Sequence, residues 1–326
     1  MTLVIGTDEA GYGPNLGPLV VAASVWRVTA AADAVEAALT TALQAAAAAA
    51  DPVAARAAPL WADSKQVYRG GSKTADRGLA ALEAGVLTAV ALATGSVPGT
   101  WPTFATATGI GSGPAQPPEW PVLESVTLPR AVDASRCVSR GSRVAAALTA
   151  AGVSLEAIVC RIVHPQEFNG QLATGRNKSD ILSQVTLALA ATACRQAEAE
   201  EPIVIWCDRH GGRKHYAAVV SQQFDCPLVQ PIEETPARSA YDLPAAGCRI
   251  EFCVGGEDRG PVALASMTAK YVRELAMEAF NAHWSSRSPG LAATAGYPVD
   301  AARWRRDAAA AIRAAGIADN DLWRRA

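Results

Sequence analysis

Residues 3–14 read LVIGTDEAGYGP, and residues 17–23 read GPLVVAA. A β-branched run that ends in two adjacent acids, a glycine-rich turn and a second apolar run together predict a strand, a loop and a second strand. We place these strands at about 2–7 and 18–27. The two acids then fall at the end of the first strand.

Asp8 and Glu9 are adjacent, and this spacing constrains how they can act together. Successive side chains of a strand point to opposite faces, so a regular strand directs only one of the two toward a common site. We therefore expect a bend at the acids, with freedom supplied by Gly11 and Gly13. Carboxylates beside a tight glycine turn suit a hard cation such as Mg²⁺ or Mn²⁺. An arbitrary Asp-Glu pair is more commonly a solvated turn at a strand end.

The composition bounds the class of protein. The chain has 326 residues, 50% of them hydrophobic and 18% charged, which supports a substantial core. Its net charge of −2 provides no global positive field, so nucleic-acid binding would require a local patch. The first twenty residues do not resemble a signal peptide, and the alanine-rich stretch 30–58 is broken by charged residues. We expect a cytoplasmic protein without a membrane partner.

Seven cysteines occur without a CxxC pair, which is typical of reduced structural thiols and predicts no zinc site. Alternating strands and helices after the initial hairpin predict an α/β fold in which helices flank a mixed central sheet. The proline-rich residues 97–121 are interpreted as an inserted surface loop that caps the fold. The further predicted strands are 156–163, 202–207, 227–232 and 248–254, and the predicted helices are about 30–50, 74–94, 139–151, 177–199, 261–284 and 300–315.

Further acids occupy positions that allow them to join the first pair. Asp208 ends the strand 202–207, and Ser266, Lys270 and Glu274 share one helix face at i, i+4 and i+8. Clustered carboxylates repel one another unless cations neutralise them, and two ions about 4 Å apart suit in-line phosphoryl chemistry. Taken alone, Lys270 and Glu274 form an exposed ion pair of little energetic weight.

These blocks resemble the type 2 ribonucleases H, that is, ribonucleases HII and HIII. The family's opening DEAG-x-G-P segment is matched by Asp8 to Pro14, and its D-S-K loop by Asp63-Ser64-Lys65. Its A-S-x-x-A-K helix is matched by Ala265 to Lys270, with an acid four residues beyond at Glu274. The remaining matches are Gly17-Pro18, Glu167-Phe168-Asn169, Asn177-Lys178 and Asp208.

The resemblance implies a ribonuclease H-like fold and metal-dependent cleavage of the RNA strand in RNA–DNA hybrids, or at ribonucleotides embedded in duplex DNA. It implies Mg²⁺ or Mn²⁺ as cofactor and a monomer. The implied catalytic and metal ligands are Asp8, Glu9, Asp208 and Glu274. The implied substrate-binding residues are Gly11, Tyr12, Gly13, Ser64, Lys65, Ser266, Lys270 and Tyr297. Residues 1–326 would form a single catalytic domain with insertions near 29–58, 97–135 and 232–247 and a helical extension at about 285–326.

The sequence departs from the family pattern at two of these positions. Tyr12 stands where the family carries a basic residue between two glycines, and Glu274 stands where ribonuclease HII has aspartate. A neutral turn can still read a 2′-hydroxyl through its backbone, but it offers no charge to a phosphate. Two alternatives therefore stay open: a structure-specific nuclease of the same fold, and a nucleic-acid-binding module without catalysis.

Overall fold

The computed structural model describes residues 1–51, 59–68, 75–111 and 116–325. The strands are β1 (Thr2–Ala10), β2 (Leu19–Val28), β3 (Val153–Val163), β4 (Ile203–Asp208), β5 (Gln230–Glu234), β6 (Arg238–Leu243) and β7 (Cys248–Cys253). The helices are α1 (Val35–Ala50), α2 (Ser64–Val67), α3 (Ala75–Thr94), α4 (Trp101–Ala107), α5 (Trp120–Glu124), α6 (Ala134–Ala150), α7 (Pro165–Ala173), α8 (Lys178–Cys194), α9 (Ala217–Gln223), α10 (Gly260–Arg287), α11 (Pro298–Asp307), α12 (Ala309–Ala315) and α13 (Asp319–Leu322).

The seven strands form one mixed sheet in the order β3-β2-β1-β4-β7-β6-β5. β1 pairs antiparallel with β2 and parallel with β4, and β4 pairs parallel with β7. This confirms the predicted α/β class with a mixed sheet between helices. Because parallel strands end at the same edge of a sheet, the carboxyl ends of β1, β4 and β7 lie side by side.

Helices cover both faces of the sheet. α10 packs on β1 and β2, and α1, α3 and α6 complete the apolar core on that side. α8 and α9 border a second core on the opposite face. The long helix approaches β1 closely at Gly6, where a Cβ atom would lie 2.3 Å from the carbonyl carbon of Pro261. Only glycine at position 6 permits that contact, which sets the start of α10 against the central strand.

The prediction of a surface loop at 97–121 was wrong over the described part of that segment. α4 and α5 form there, and Trp101, Phe104 and Trp120 are buried in the core beneath them. Two of the prolines that suggested a loop, Pro102 and Pro121, stand in the first turns of these helices, where a missing N–H costs nothing. Residues 112–115 of the segment lie outside the described residues.

The strand β6 was missed, because residues 232–247 were interpreted as an insertion without a strand. Its ends carry Arg238 and Asp242, which pair with Glu251 and Arg249 across the sheet. Charged cross-strand pairs stabilise a sheet but obscure the apolar alternation on which strand prediction depends. The predicted helix at 300–315 is divided into α11 and α12. Among the described helices, none combines the length and apolar character needed to cross a membrane.

One buried carboxylate joins α3, α10 and the segment before α6. Glu83 is fully buried and accepts hydrogen bonds from the backbone N–H groups of Arg130, Ala131 and Val132 and from the Tyr271 hydroxyl. Removing this acceptor would leave several buried donors unsatisfied.

We expect Glu83→Ala to lower the free energy of unfolding by about 3 kcal/mol or more, because bonds to a charged acceptor are lost together. Glu83→Gln should cost less, since it keeps an acceptor oxygen. Urea denaturation followed by circular dichroism measures both, with the exposed Glu198→Ala as the matched control. Equal midpoints for Glu83→Ala and the control would contradict this role.

Candidate active site

Three carboxylates meet at the shared edge of β1 and β4. Asp8 and Glu9 belong to β1, and Asp208 is the last residue of β4. One carboxylate oxygen from each lies within 4.8 Å of the others. The parallel register, in which Thr7 is the partner of Cys207, places Asp8 and Asp208 at equivalent positions on neighbouring strands. The structure therefore brings these three acids together, as the sequence analysis predicted.

The chain bends at Gly11 and not at the two acids, where the bend was expected. β1 stays paired with β2 through Ala10, and the chain turns at Gly11, whose φ of +90° is accessible mainly to glycine. Asp8 and Glu9 reach one site even though both belong to a paired strand. Asp8 Oδ1 accepts the backbone N–H of Glu9 at 2.7 Å, which fixes the first carboxylate.

Burial and mutual repulsion make these acids hard to ionise. Burial, followed by the charge of Glu9, raises the pKa of Asp8 well above its ordinary value. The pKa of Glu9 is raised to about 7 by burial and the charge of Asp208. The pKa of Asp208 is also raised to about 7, by burial and by the charges of Asp8 and Glu257. A bound cation would reverse these effects, since it stabilises the ionised forms.

Glu257 is a further acid of this site, and the sequence analysis missed it. It lies in a short 3₁₀ helix, Gly256–Asp258, between β7 and α10, and its side chain is only 12% exposed. The adjacent N–H of Gly256 donates to Asp208 Oδ1 at 3.1 Å, which holds the turn against β4. Glu257 Oε2 is buried and, among the described residues, has no hydrogen-bond partner. An unpartnered buried carboxylate oxygen facing other acids suits a cation ligand.

A signal for Glu257 was present in the sequence. Like Asp8 and Asp208, it lies near the carboxyl end of a strand and beside glycines, here Gly255 and Gly256. The resemblance directed attention instead to the acid on the following helix. Three residues lie between Cys253, the last residue of β7, and Glu257, so the pattern is looser than the other two.

Glu274, the fourth predicted ligand, lies in the same cleft but outside the group of three. It accepts hydrogen bonds from Lys270 Nζ at 2.6 Å and from the Tyr68 hydroxyl at 2.8 Å. The alternative interpretation named this ion pair but expected it to be exposed, whereas both side chains are less than 20% exposed. The ligand role of Glu274 stays a prediction.

The twelve sequence-predicted site residues all line one cleft of about 650 Å³. The acids form one part of its wall, and the turn Gly11–Gly13 forms another. Ser64 and Ser266 hydrogen-bond each other at 3.0 Å, and Ser266 also hydrogen-bonds Asp8. The remaining predicted residues in the wall are Lys65, Lys270 and Tyr297.

The glycine turn is held from beneath by the end of the chain. Arg324 is fully buried, and its Nη2 donates to the carbonyls of Gly11 and Pro14. Asn15 accepts the backbone N–H of Arg324 and returns a side-chain bond to its carbonyl. The neutral Tyr12 side chain lies beside the Lys178 ammonium, which is 5.0 Å from the ring centroid. The turn therefore has a fixed backbone and a cation beside its uncharged side chain.

Comparison with known proteins gives the following. No family model matches the chain, and no curated protein matches it. Among solved structures, ribonuclease H2 from Pyrococcus horikoshii OT3 aligns with 98% of this chain and 92% of its own, at 12% identity and a TM-score of 0.43. RNase HII of the PCNA:RNase HII complex from Archaeoglobus fulgidus aligns with 98% of this chain over 93% of its own length, at 13% identity and a TM-score of 0.43. Bst-RNase HIII in complex with Mn²⁺ aligns with 99% of this chain over 66% of its own length, at 16% identity and a TM-score of 0.42.

We expect Asp208→Asn to raise the melting temperature of the metal-free protein at pH 8. In the folded state the pKa of Asp208 is raised to about 7, so stability falls as the pH rises from the ordinary value of 3.8 through 7, and the amide removes this loss. An increase of about 2 °C or more is expected at pH 8, with little difference at pH 4.

Differential scanning fluorimetry in EDTA measures this effect, with the exposed Asp33→Asn as the matched control. Addition of Mn²⁺ should raise the melting temperature of the wild type and of the control but not that of Asp208→Asn. A lower melting temperature of Asp208→Asn at pH 8 would contradict the repulsion.

Proposed function

We propose that this protein is a metal-dependent endonuclease of the type 2 ribonuclease H kind, hydrolysing the RNA strand of RNA–DNA hybrids or cutting at ribonucleotides embedded in duplex DNA. The observation that carries the proposal is the convergence of Asp8, Glu9 and Asp208 within 4.8 Å beside the Gly11–Gly13 turn. Buried like charges at this spacing destabilise a protein unless a ligand uses them.

The donor set fits a hard divalent cation. Every candidate ligand is a carboxylate oxygen, which Mg²⁺ and Mn²⁺ prefer, and none of the described residues in the wall of the cleft is a cysteine. Asp8, Glu9 and Asp208 would hold the metal, with Glu257 as the fourth acid. When bound, a pair of divalent ions supplies an activated water and stabilises the leaving oxygen of a phosphodiester.

The other residues of the cleft would position the substrate. The backbone of Gly11–Gly13, fixed by Arg324, faces the cleft at the place where a 2′-hydroxyl would distinguish RNA from DNA. Lys65 would offer positive charge to a phosphate, since its side chain is 81% exposed, although its Nζ also pairs with Glu257 Oε1 at 3.5 Å. Tyr297 is 53% exposed and close to Gly13, so its ring is free to stack on a sugar.

A structure-specific nuclease of the same fold is the second candidate, and Tyr12 favours it. The tyrosine ring packs beside Lys178 and against Gly211, and it supplies no charge of its own to the turn. Substrate choice therefore depends on backbone groups and on Lys178. The cleavage experiment below distinguishes the two candidates.

A cleavage panel tests the proposed function. It offers an RNA–DNA hybrid, duplex DNA with one ribonucleotide, single-stranded RNA and plain duplex DNA, each with Mg²⁺ or Mn²⁺. We expect cleavage only where a ribonucleotide lies in a duplex, and Asp208→Asn should reduce turnover by about 10³-fold or more while binding persists. Asp33→Asn serves as the control. Equal cleavage of plain DNA would favour the second candidate, and no cleavage with either metal would overturn both.

Glu257 and Glu274 compete for the role of the fourth ligand, and paired variants separate them. If Glu257 is the ligand, Glu257→Gln should reduce kcat and raise the metal concentration needed for half-maximal activity by about tenfold or more. Glu274→Gln should then act mainly through Lys270 and Tyr68, with a smaller effect and no change in metal requirement. The reverse ranking in a Mn²⁺ titration of activity would assign the ligand role to Glu274.

A further inference from the structure

Helix α6 carries a repeated serine–arginine pattern that the proposed active site does not use. Its sequence contains Ser135-Arg136, Ser139-Arg140 and Ser142-Arg143. Arginines at i, i+4 and i+7 share one face of a helix. The pattern therefore places three guanidinium groups in a row along about 10 Å of the helix.

That face lines a groove of about 1,050 Å³ between α1, α3 and α6, which we call the α6 groove. Alanines from α1 and α3, such as Ala47 and Ala84, form much of its lining, and Arg130 joins the three arginines of α6 at its wall. The acids that line it are Asp51 and Asp133. Four arginines against two acids make the groove positive in a chain whose net charge is −2.

The charges of this groove are incompletely balanced. Asp133 is occupied as the N-cap of α6, where it accepts the N–H of Ser135. Arg140 Nε is buried and, within the described part of the chain, has no hydrogen-bond partner. Arg143 donates to the carbonyls of Ala49 and Ala50, which carry no net charge. Unbalanced guanidinium groups beside small side chains are suited to an anion that brings its own oxygen acceptors.

The α6 groove adjoins the catalytic cleft through α10. Glu274 lines the cleft, and Glu278, one helical turn further along, pairs with Arg130 of the groove at 3.0 Å. Four residues of helix span about 6 Å. A strand that leaves the cleft along α10 therefore meets the groove after a short distance.

We propose that the α6 groove binds the phosphodiester backbone of the nucleic acid beyond the cleaved position. This rests on the proposed function, because it takes the strand in the cleft to be nucleic acid. A single strand of a duplex presents a phosphate about every 3.4 Å, so the arginine row spans about three phosphates. Guanidinium groups bind phosphate oxygens in pairs, and the alanine lining lets the backbone approach α6 closely.

The test compares Arg136→Glu with Arg195→Glu. Both arginines are exposed on or at the end of a helix, and both variants change the net charge equally, but only Arg136 lines the groove. Binding of a long hybrid duplex, of about 24 base pairs and about 80 Å, is measured at several salt concentrations with Ca²⁺ present. Melting temperatures verify that both variants fold, and Arg140→Ala provides a second substitution within the groove.

Arg136→Glu and Arg140→Ala should weaken binding of the long duplex and reduce the slope of log K against log salt by about one. Arg195→Glu should change binding of the long duplex little. Equal salt slopes for Arg136→Glu and Arg195→Glu would overturn the proposal. So would failure of the wild type to bind the long duplex, or an acidic peptide binding in its place with the same sensitivity to Arg136→Glu.

The outcome also separates this proposal from the proposed function. If the wild type binds the long duplex but cleaves no substrate, and Arg136→Glu loses that binding, the groove proposal is supported and the nuclease proposal is overturned. Normal metal-dependent cleavage with no effect of either groove variant would support the nuclease and overturn the groove.

Discussion

The pairing of β1 with β4 is the interaction on which the site depends. It places Asp8 and Asp208 at the same edge of the sheet, although burial and mutual charge disfavour their ionised forms. Backbone hydrogen bonds between two central strands, with cores packed on both faces, hold carboxylates that would separate in a flexible loop. The rigidity of the sheet therefore sustains a repulsive arrangement, which is the physical condition for a strong cation site.

The helix α10 extends this constraint to the rest of the molecule. At Gly6 it approaches β1 so closely that a side chain is excluded, and this contact also fixes the turn that carries Glu257. Further along, Ser266 and Glu274 face the cleft, Tyr271 binds the buried Glu83, and Glu278 pairs with Arg130. One straight element thus determines the relative positions of the acids, the cleft and the α6 groove.

The sequence predicted which residues share one cleft where their placement depends on local chain geometry. Acids at the ends of apolar strands and a glycine turn are local features, so Asp8, Glu9, Asp208 and the Gly11–Gly13 turn were all assigned to what is one cleft. What the sequence does not reveal depends on tertiary contacts. Glu257 enters the site because a turn packs against β4, and Glu274 turns to Lys270 and Tyr68 because they lie within reach. The burial of α4 and α5 likewise follows from packing that proline content does not reveal.

Under the two proposals above, the distribution of charge gives the two regions different tasks. Without a cation the clustered acids repel a phosphate backbone, so nucleic acid enters the cleft only together with metal. The α6 groove has the opposite sign and needs no ion to attract the same backbone. On this arrangement the groove supplies affinity that does not depend on metal, and the metal couples binding in the cleft to chemistry. A neutral Tyr12 is then tolerable, since the α6 groove supplies the positive charge that the turn lacks.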